Sequence, residues 1–271
     1  MLCFPNAKIN LGLNIIEKRP DGFHNIETVF YPFPLCDALE IAQSDSNETY
    51  EFSSSGIPIG IDPSQNIVIK AFDLIASKFE IPSTAIHLHK NIPFGAGLGG
   101  GSADAAYMIK MLNDFYSLGL SIQQMEEFAI QIGSDCPVFI KNEAVFAEGK
   151  GEIFSSIQLD LSGYHIALIK PDIHISTPEA YSGVSPKKPE KSVKELIKLP
   201  LKDWKENIFN DFEDSIFPNH PELKKLKEEL YESGAIYAAM SGSGSSMFGI
   251  FEREPEIQEN WKKHFIWSGK L

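Results

Sequence analysis

Residues 93–106 read Pro-Phe-Gly-Ala-Gly-Leu-Gly-Gly-Gly-Ser-Ala-Asp-Ala-Ala, with five glycines among the seven positions from Gly95 to Gly101 and an alanine-rich run directly after them. A backbone without Cβ atoms can approach a ligand closely and turn its N–H groups toward one point. A helix opening at Ser102 would add free N–H donors and the positive end of its dipole. The chemistry this implies is anion binding, and the anion it suits is a di- or triphosphate.

Known phosphate loops can be told apart here. A Walker A loop ends in Gly-Lys-Ser/Thr, but Gly101-Ser102 is followed by Ala103-Asp104 and the loop holds no lysine. The spacing of Gly95, Gly97 and Gly100 formally fits a Rossmann fingerprint. The acidic residue expected about 20 positions further on is missing, because Ser117-Leu118-Gly119-Leu120 reads as a helix end and turn. A protein-kinase glycine loop sits in a hairpin, whereas this one runs into a helix. A flexible linker would lack the Leu98 anchor and the coupled helix.

Other residues offer chemistry with less specificity. Asp135 falls in a turn, Gly133-Ser134-Asp135-Cys136-Pro137, where a general base could sit. On local grounds alone, an Asx-type turn before Cys136-Pro137 is the favoured reading. Lys8 alone reads as an outward-facing strand lysine. Ser102 either caps its helix or helps to hold phosphate or Mg²⁺. The Ser241–Ser246 run of serine and glycine either closes on a ligand or is a plain turn. His87 and His89 alternate on a strand, and no third metal ligand is apparent.

These residues need elements to position them. Ala7–Ile16 alternates as a strand, Asn25–Pro32 and Asp37–Ala42 read as short strands split by a Pro32-Phe33-Pro34 turn, and Ile86–Lys90 leads into the glycine loop. Helices are expected over Asn66–Phe79, Ser102–Tyr116 and Ser121–Gly133, the last with Ser121 as N-cap. Val138–Ile140 reads as a strand. The chain restarts around 155–165 with a strand at Tyr164–Lys170, a helix opening at Ser176-Thr177-Pro178 and a short helix within Ser185–Lys198. A charged helix over His220–Ser233, a strand at Met247–Phe251 and a last helix over Pro255–His264 follow. Strands and helices do not alternate strictly, so the class is α+β.

The 271 residues suffice for one large domain or two ordinary ones. Hydrophobic content of 43% and charged content of 23% are those of a globular protein. The net charge of −13 disfavours nucleic acid as a partner, while leaving room for a small anion held by backbone and a few lysines. No apolar run is long enough to span a bilayer, and no signal peptide is visible at Met1-Leu2-Cys3-Phe4-Pro5. Three widely spaced cysteines fit a reducing compartment, so a cytoplasmic protein is expected.

Taken in order, Ala7-Lys8-Ile9-Asn10, Arg19-Pro20-Asp21-Gly22-Phe23-His24, Gly95–Ala106, Gly133–Pro137 and Met240–Gly244 resemble the GHMP kinase superfamily, whose members phosphorylate small alcohols and acids with ATP. The resemblance covers most of the chain and is weakest between residues 180 and 235. It implies a two-lobed α+β enzyme with the active site in the cleft between the lobes. Residues 1–157 would form a ribosomal-protein-S5-domain-2-like ATP-binding lobe, and residues 158–271 a ferredoxin-like lobe.

The resemblance also implies roles. Asp135 matches the family's catalytic aspartate and Lys8 its catalytic lysine, an ammonium that keeps the carboxylate ionised and stabilises the attacking oxygen. ATP would lie on Pro93, Phe94, Gly95, Ala96, Gly97, Leu98, Gly99, Gly100, Gly101, Ser102 and Ala103, with Asn66 and Lys90 toward the adenosine. The implied substrate is a cytidine-diphosphate-linked polyol, its base met by His24 between Phe23 and Tyr181 and its polyol diphosphate by Asn10 and Thr177. The family more often has tyrosine where Phe23 stands, so a ring is kept and a hydroxyl lost. Ala96 replaces a more typical glycine. Mg²⁺ is expected with its ligands unassigned, and the oligomeric state expected is a monomer or weak homodimer. The nearest alternative is a GHMP kinase for homoserine, mevalonate or a sugar; a non-catalytic ATP-binding module comes next, and an oxidoreductase last.

Overall fold

A computed structural model describes residues 1–60 and 62–271. The chain runs β1 (Leu2–Cys3), β2 (Asn6–Lys18), β3 (His24–Cys36), β4 (Ala38–Gln43), β5 (Tyr50–Gly56), α1 (Ile67–Ala76), β6 (Thr84–Lys90), α2 (Gly100–Phe115), α3 (Ile122–Ile132) and α4 (Val138–Lys141). It continues through β7 (Val145–Glu148), β8 (Ile153–Ser156), β9 (His165–Lys170), α5 (Thr177–Ser182), α6 (Val193–Leu196), α7 (Asp211–Ile216), α8 (Pro221–Glu232), β10 (Tyr237–Met240), β11 (Met247–Phe251) and β12 (Phe265–Lys270). The class is α+β, as the sequence indicates.

Residues 1–7, 35–94 and 99–143 make one compact unit. Its sheet has the order β1-β4-β6-β5, with β5 and β6 parallel and the other pairs antiparallel. α1, α2 and α3 pack on one another. α1 buries Val68, Ile69, Ala71, Phe72 and Ile75, and its first turn is capped by Asn66, whose side chain accepts from the Val68 N–H. α3 opens with a reciprocal capping box between Ser121 and Gln124.

At the end of β6 this unit buries a lysine. Lys90 is 1% exposed, and its ammonium is paired with both Asp37 and Asp104. Asp37 also accepts from the Asn91 and Ile92 N–H groups at 2.6 and 2.8 Å, so it fixes the chain just before the glycine loop. Two carboxylates facing one ammonium in a dry site cannot both stay charged cheaply. Burial, together with the charge of Asp37, pushes the Asp104 carboxyl well above its ordinary range against the pull of Lys90.

Residues 8–34, 95–98 and 144–271 make the other unit. One sheet is ordered β2-β3-β7-β8 and a second, antiparallel, β10-β11-β9-β12. α8 packs on β10 and β11. Its Leu223, Leu226 and Leu230 join Ala238, Met240, Met247 and Trp261 in a core that also takes in Leu13, Ile15, Phe212 and Ile216. The four-stranded sheet with helices packed against it matches the expectation for this part of the chain.

Four local expectations are corrected. β3 runs straight through Pro32-Phe33-Pro34. Phe33 and Leu35 are buried and Pro34 is exposed, an ordinary strand alternation. The register with β7 stops at Phe30, so that neighbour asks for no N–H at either proline. Val138–Lys141 is helical rather than extended, because Pro137 already has φ −60° and ψ −27° and a short apolar run carries no period of its own. The helix after the glycine loop starts at Gly100, two residues before Ser102. The last helix shrinks to one 3-10 turn at Glu259–Trp261, followed by the strand β12.

The triad gives a direct stability test. Lys90→Met leaves two buried carboxyls without their cation and should cost about 3–5 kcal/mol. Asp104→Asn keeps one charge of each sign and should stay within about 1 kcal/mol of the parent at pH 7. Because the folded-state Asp104 carboxyl is raised, its contribution is full at low pH and is lost as pH rises above the ordinary carboxylate range. Urea unfolding against pH should therefore show, as pH rises above the ordinary carboxylate range, a loss in the parent that Asp104→Asn lacks.

Candidate active site

The glycine loop takes every second residue into the left-handed region, with φ of +59° at Gly95, +75° at Gly97 and +70° at Gly99, the alternation from which anion-binding backbone nests are made. Leu98 is buried and anchors the turn, and its carbonyl accepts from the Lys8 N–H at 2.9 Å. Ala96 is buried as well, so its methyl group points into the protein.

Gly99 caps α2 without any side-chain hydrogen bond. The helix's own ladder begins with the Ala103 N–H on the Gly99 carbonyl at 2.9 Å. Gly100, Gly101 and Ser102 therefore offer first-turn N–H groups that no side-chain cap takes up, at the positive end of a 16-residue helix. Gly100 must lack a side chain, since a Cβ would fall 2.7 Å from the Ile92 side chain. Ser102 is the third residue of the helix and not its cap, which sets aside the reading of it as a capping residue. Its side chain acts on the thiol of Cys136, next to Asp135 in the turn between α3 and α4, and pulls that thiol's pKa down. Burial, and then the Asp135 charge, push the Cys136 thiol up to about 12, so it stays an un-ionised packing group.

In the second unit, Lys8 is 4% exposed, the opposite of a solvated strand lysine. Its Nζ donates to Asn10 Oδ1 at 2.8 Å and to the Gly97 carbonyl at 3.2 Å, and it lies 4.7 Å from the centre of the Phe30 ring. Asn10 in turn donates through Nδ2 to Thr28 Oγ1 at 3.0 Å, and Thr28 donates to the Gly12 carbonyl at 2.5 Å. Ser241 Oγ donates to the same Gly97 carbonyl at 2.8 Å and accepts from the Asn10 N–H at 3.4 Å. The serine-rich loop thus belongs to the glycine loop's own bonding network.

A cavity of about 340 Å³ in this unit is lined by Phe23, His24, Thr177 and Tyr181, with Gly22, Pro178 and Lys150. His24 stacks on Tyr181 with ring centres 4.6 Å apart and planes at 18°. The Lys150 ammonium lies 4.9 Å from the centre of the Phe23 ring, which is 58% exposed. Partial burial, and then the charge of Lys18, lower the His24 imidazole below its ordinary value, so the ring is neutral near pH 7 and offers both a donor and an acceptor. Such a cavity suits a flat heterocycle with hydrogen-bonding edges.

Two expected site residues turn out to be otherwise engaged. Asn66 spends its side-chain oxygen on the α1 cap, and Lys90 spends its ammonium on Asp37 and Asp104. Any nucleotide contact from either would use the atoms left over. His87 and His89 do not pair as metal ligands: both ring nitrogens of His87 bond to Ser53 and Ser55, and Ser55 also bonds His89. Among the described residues, no group of three or more His, Cys, Asp and Glu side chains is arranged to hold a metal ion. Sequence reasoning missed Thr28, Lys150 and Asn210. Only Lys150 left a local signal, Gly149-Lys150-Gly151, the tight turn between β7 and β8.

Residues 66–143 match the family model described as GHMP kinases N terminal domain, and residues 192–266 that described as GHMP kinases C terminal. The chain belongs to the GHMP kinase family and is thus a small-molecule kinase. It is 54% identical over 273 residues to a protein of Parabacteroides distasonis named 4-diphosphocytidyl-2-C-methyl-D-erythritol kinase, covering 100% of both chains. A protein of the same name from Cytophaga hutchinsonii is 51% identical over 257 residues, covering 94% of each. A crystal structure of 4-(cytidine 5'-diphospho)-2C-methyl-D-erythritol kinase is similar with TM-score 0.83 and 28% identity, covering 99% of this chain and 98% of that one.

Two substitutions separate loop geometry from helix propensity. In Gly97→Ala, a Cβ at positive φ would sit 2.0 Å from the Ser241 carbonyl oxygen, so melting should show a loss beyond the about 1–2 kcal/mol of the backbone conformation alone. In Gly101→Ala, the nearest atom is 3.5 Å away, and the gain should be about 0.5–1 kcal/mol. For His24, an NMR titration should give a midpoint below 6.5 that rises in Lys18→Met; an unchanged midpoint would exclude Lys18 as a cause.

Proposed function

We propose that this chain uses ATP to phosphorylate the 2-hydroxyl of 4-diphosphocytidyl-2-C-methyl-D-erythritol, a step of non-mevalonate isoprenoid precursor synthesis. The observation that carries this reading is 54% identity, across the whole of both chains, to a protein of that name. The aromatic cavity around His24 and Tyr181 supports it, because homoserine, mevalonate and simple sugars have no base to stack there.

In this reading the 2-hydroxyl oxygen bonds to the γ-phosphorus in line as the bond from that phosphorus to the ADP oxygen breaks. Asp135 takes the hydroxyl proton, and Lys8 acts as its partner, holding the carboxylate ionised and stabilising the attacking oxygen. The loop Gly95–Gly101 and the first turn of α2 hold the phosphates through N–H groups that need not move when charge develops. Lys8 is pre-oriented by Asn10 and the Gly97 carbonyl, which supports a fixed catalytic position over a mobile surface lysine. The base of the substrate lies with His24, Phe23 and Tyr181, and Asn10 and Thr177 serve the polyol diphosphate.

Mg²⁺ enters this proposal with the nucleotide. It prefers to keep waters and phosphate oxygens and to take only one or two protein ligands, which fits a site without a cluster of carboxylates. Ser102 is the protein oxygen we assign to the phosphate or its ion, and bound Mg²⁺ would neutralise phosphate charge. We further place the nucleotide lobe at residues 1–157 and the second lobe at 158–271, in a cytoplasmic monomer or weak homodimer. Each family match falls inside one of these spans.

The test is ADP release from ATP and Mg²⁺ with the cytidylyl substrate, mevalonate, homoserine or galactose. Turnover should occur with the cytidylyl substrate alone and fall at least about 10²-fold in Asp135→Asn. Turnover with another alcohol would overturn the substrate assignment, and full activity in Asp135→Asn would remove it as the base.

A further inference from the structure

We propose that Asn210 is a positioning residue for Lys8 and the glycine loop, acting through the turn that begins at Ser241. Asn210 is 2% exposed and caps α7, its Oδ1 accepting from the Phe212 N–H at 3.0 Å. A cap needs only that acceptor. The Asn210 amide nitrogen does more, because Nδ2 donates to the Met240 and Gly242 carbonyls, each at 2.8 Å. Glu213, one helical turn further on, accepts from the Met240 N–H at 2.8 Å and is itself held by Lys227. The start of α7 therefore grips backbone groups on both sides of Ser241.

Ser241 passes this constraint onward. Its hydroxyl and the Lys8 ammonium both donate to the Gly97 carbonyl, at 2.8 and 3.2 Å, and Asn10 links the two again through its N–H to Ser241 and its Oδ1 to Lys8. Gly97 and the Ser241 peptide are so close that a Cβ on Gly97 would lie 2.0 Å from the Ser241 oxygen. In a contact that tight, moving the turn moves the loop. The path Asn210, Ser241, Gly97, Lys8 lies wholly within one compact unit. Two carbonyls pulled together need two donors from one small side chain, which a primary amide has and a carboxylate or hydroxyl lacks. Its effect on turnover rests on the function proposed above, whereas its effect on loop geometry does not.

Asn210→Asp separates the two roles, since it keeps the capping acceptor and replaces the amide donors with an oxygen facing two carbonyls. Amide exchange is read at Lys8 and Asn10, whose N–H groups donate to the Leu98 carbonyl and to Ser241 Oγ, alongside kcat and KM. Asn210→Asp and Asn210→Ala should both speed exchange at these amides about tenfold. Both should lower kcat about 10²-fold with KM for the cytidylyl substrate within about twofold. Leu226→Ala, which lowers melting by removing core volume under α8, should change neither readout in the folded protein. Parent-like exchange at Lys8 and Asn10 in Asn210→Asp would overturn the proposal. So would losses in that variant no larger than those of Leu226→Ala. An unaltered protein that exchanges as described but turns over no cytidylyl substrate would refute the proposed reaction and leave this chain of contacts standing.

Discussion

The site rests on the packing of Gly97 against Ser241. Two stretches of backbone can come this close only where one of them has no Cβ, and the positive φ of Gly97 is what turns its carbonyl toward both Ser241 Oγ and Lys8 Nζ. Lys8 and Ser241 meet on that one Gly97 carbonyl, and Asn10 bonds to both of them. The glycines are therefore structural in a strict sense. They let a loop with few side chains pack backbone against backbone.

Among the described residues two lysines, Lys8 and Lys90, are buried, and their surroundings differ. Lys90 is enclosed by Asp37 and Asp104, so its charge is spent on holding the end of β6 and the backbone that follows it. Lys8 donates to the oxygens of Asn10 and Gly97, which fix the direction of its ammonium. A protein with a net charge of −13 can bind a polyphosphate on these terms, because helix and loop N–H groups supply the positive potential locally. Long-range attraction is not needed.

Much of this was legible in the sequence, for reasons that differ by residue. The glycine spacing marked a loop of closely approaching backbone, because few other sequences need so many residues without Cβ atoms. Ser121 and Gly133 marked the ends of α3 because capping is local chemistry. β3 was misread because Pro32 and Pro34 are turn formers by propensity, and only tertiary pairing shows that the strand runs on through them. α4 was misread because a few consecutive apolar residues have no period. Asn210 and Thr28 left no signal, since their value lies in carbonyls, hydroxyls and amides brought from distant parts of the chain. Nothing local to Lys90 announces that Asp37 and Asp104 fold around it.

The most direct test of the central claim is ³¹P NMR of the complete reaction, with ATP, Mg²⁺ and 4-diphosphocytidyl-2-C-methyl-D-erythritol present together. The account predicts loss of the ATP γ-signal, growth of ADP and one new phosphomonoester on the 2-oxygen, with the cytidylyl diphosphate intact and no inorganic phosphate. Release of inorganic phosphate alone, or an unchanged spectrum, would contradict it.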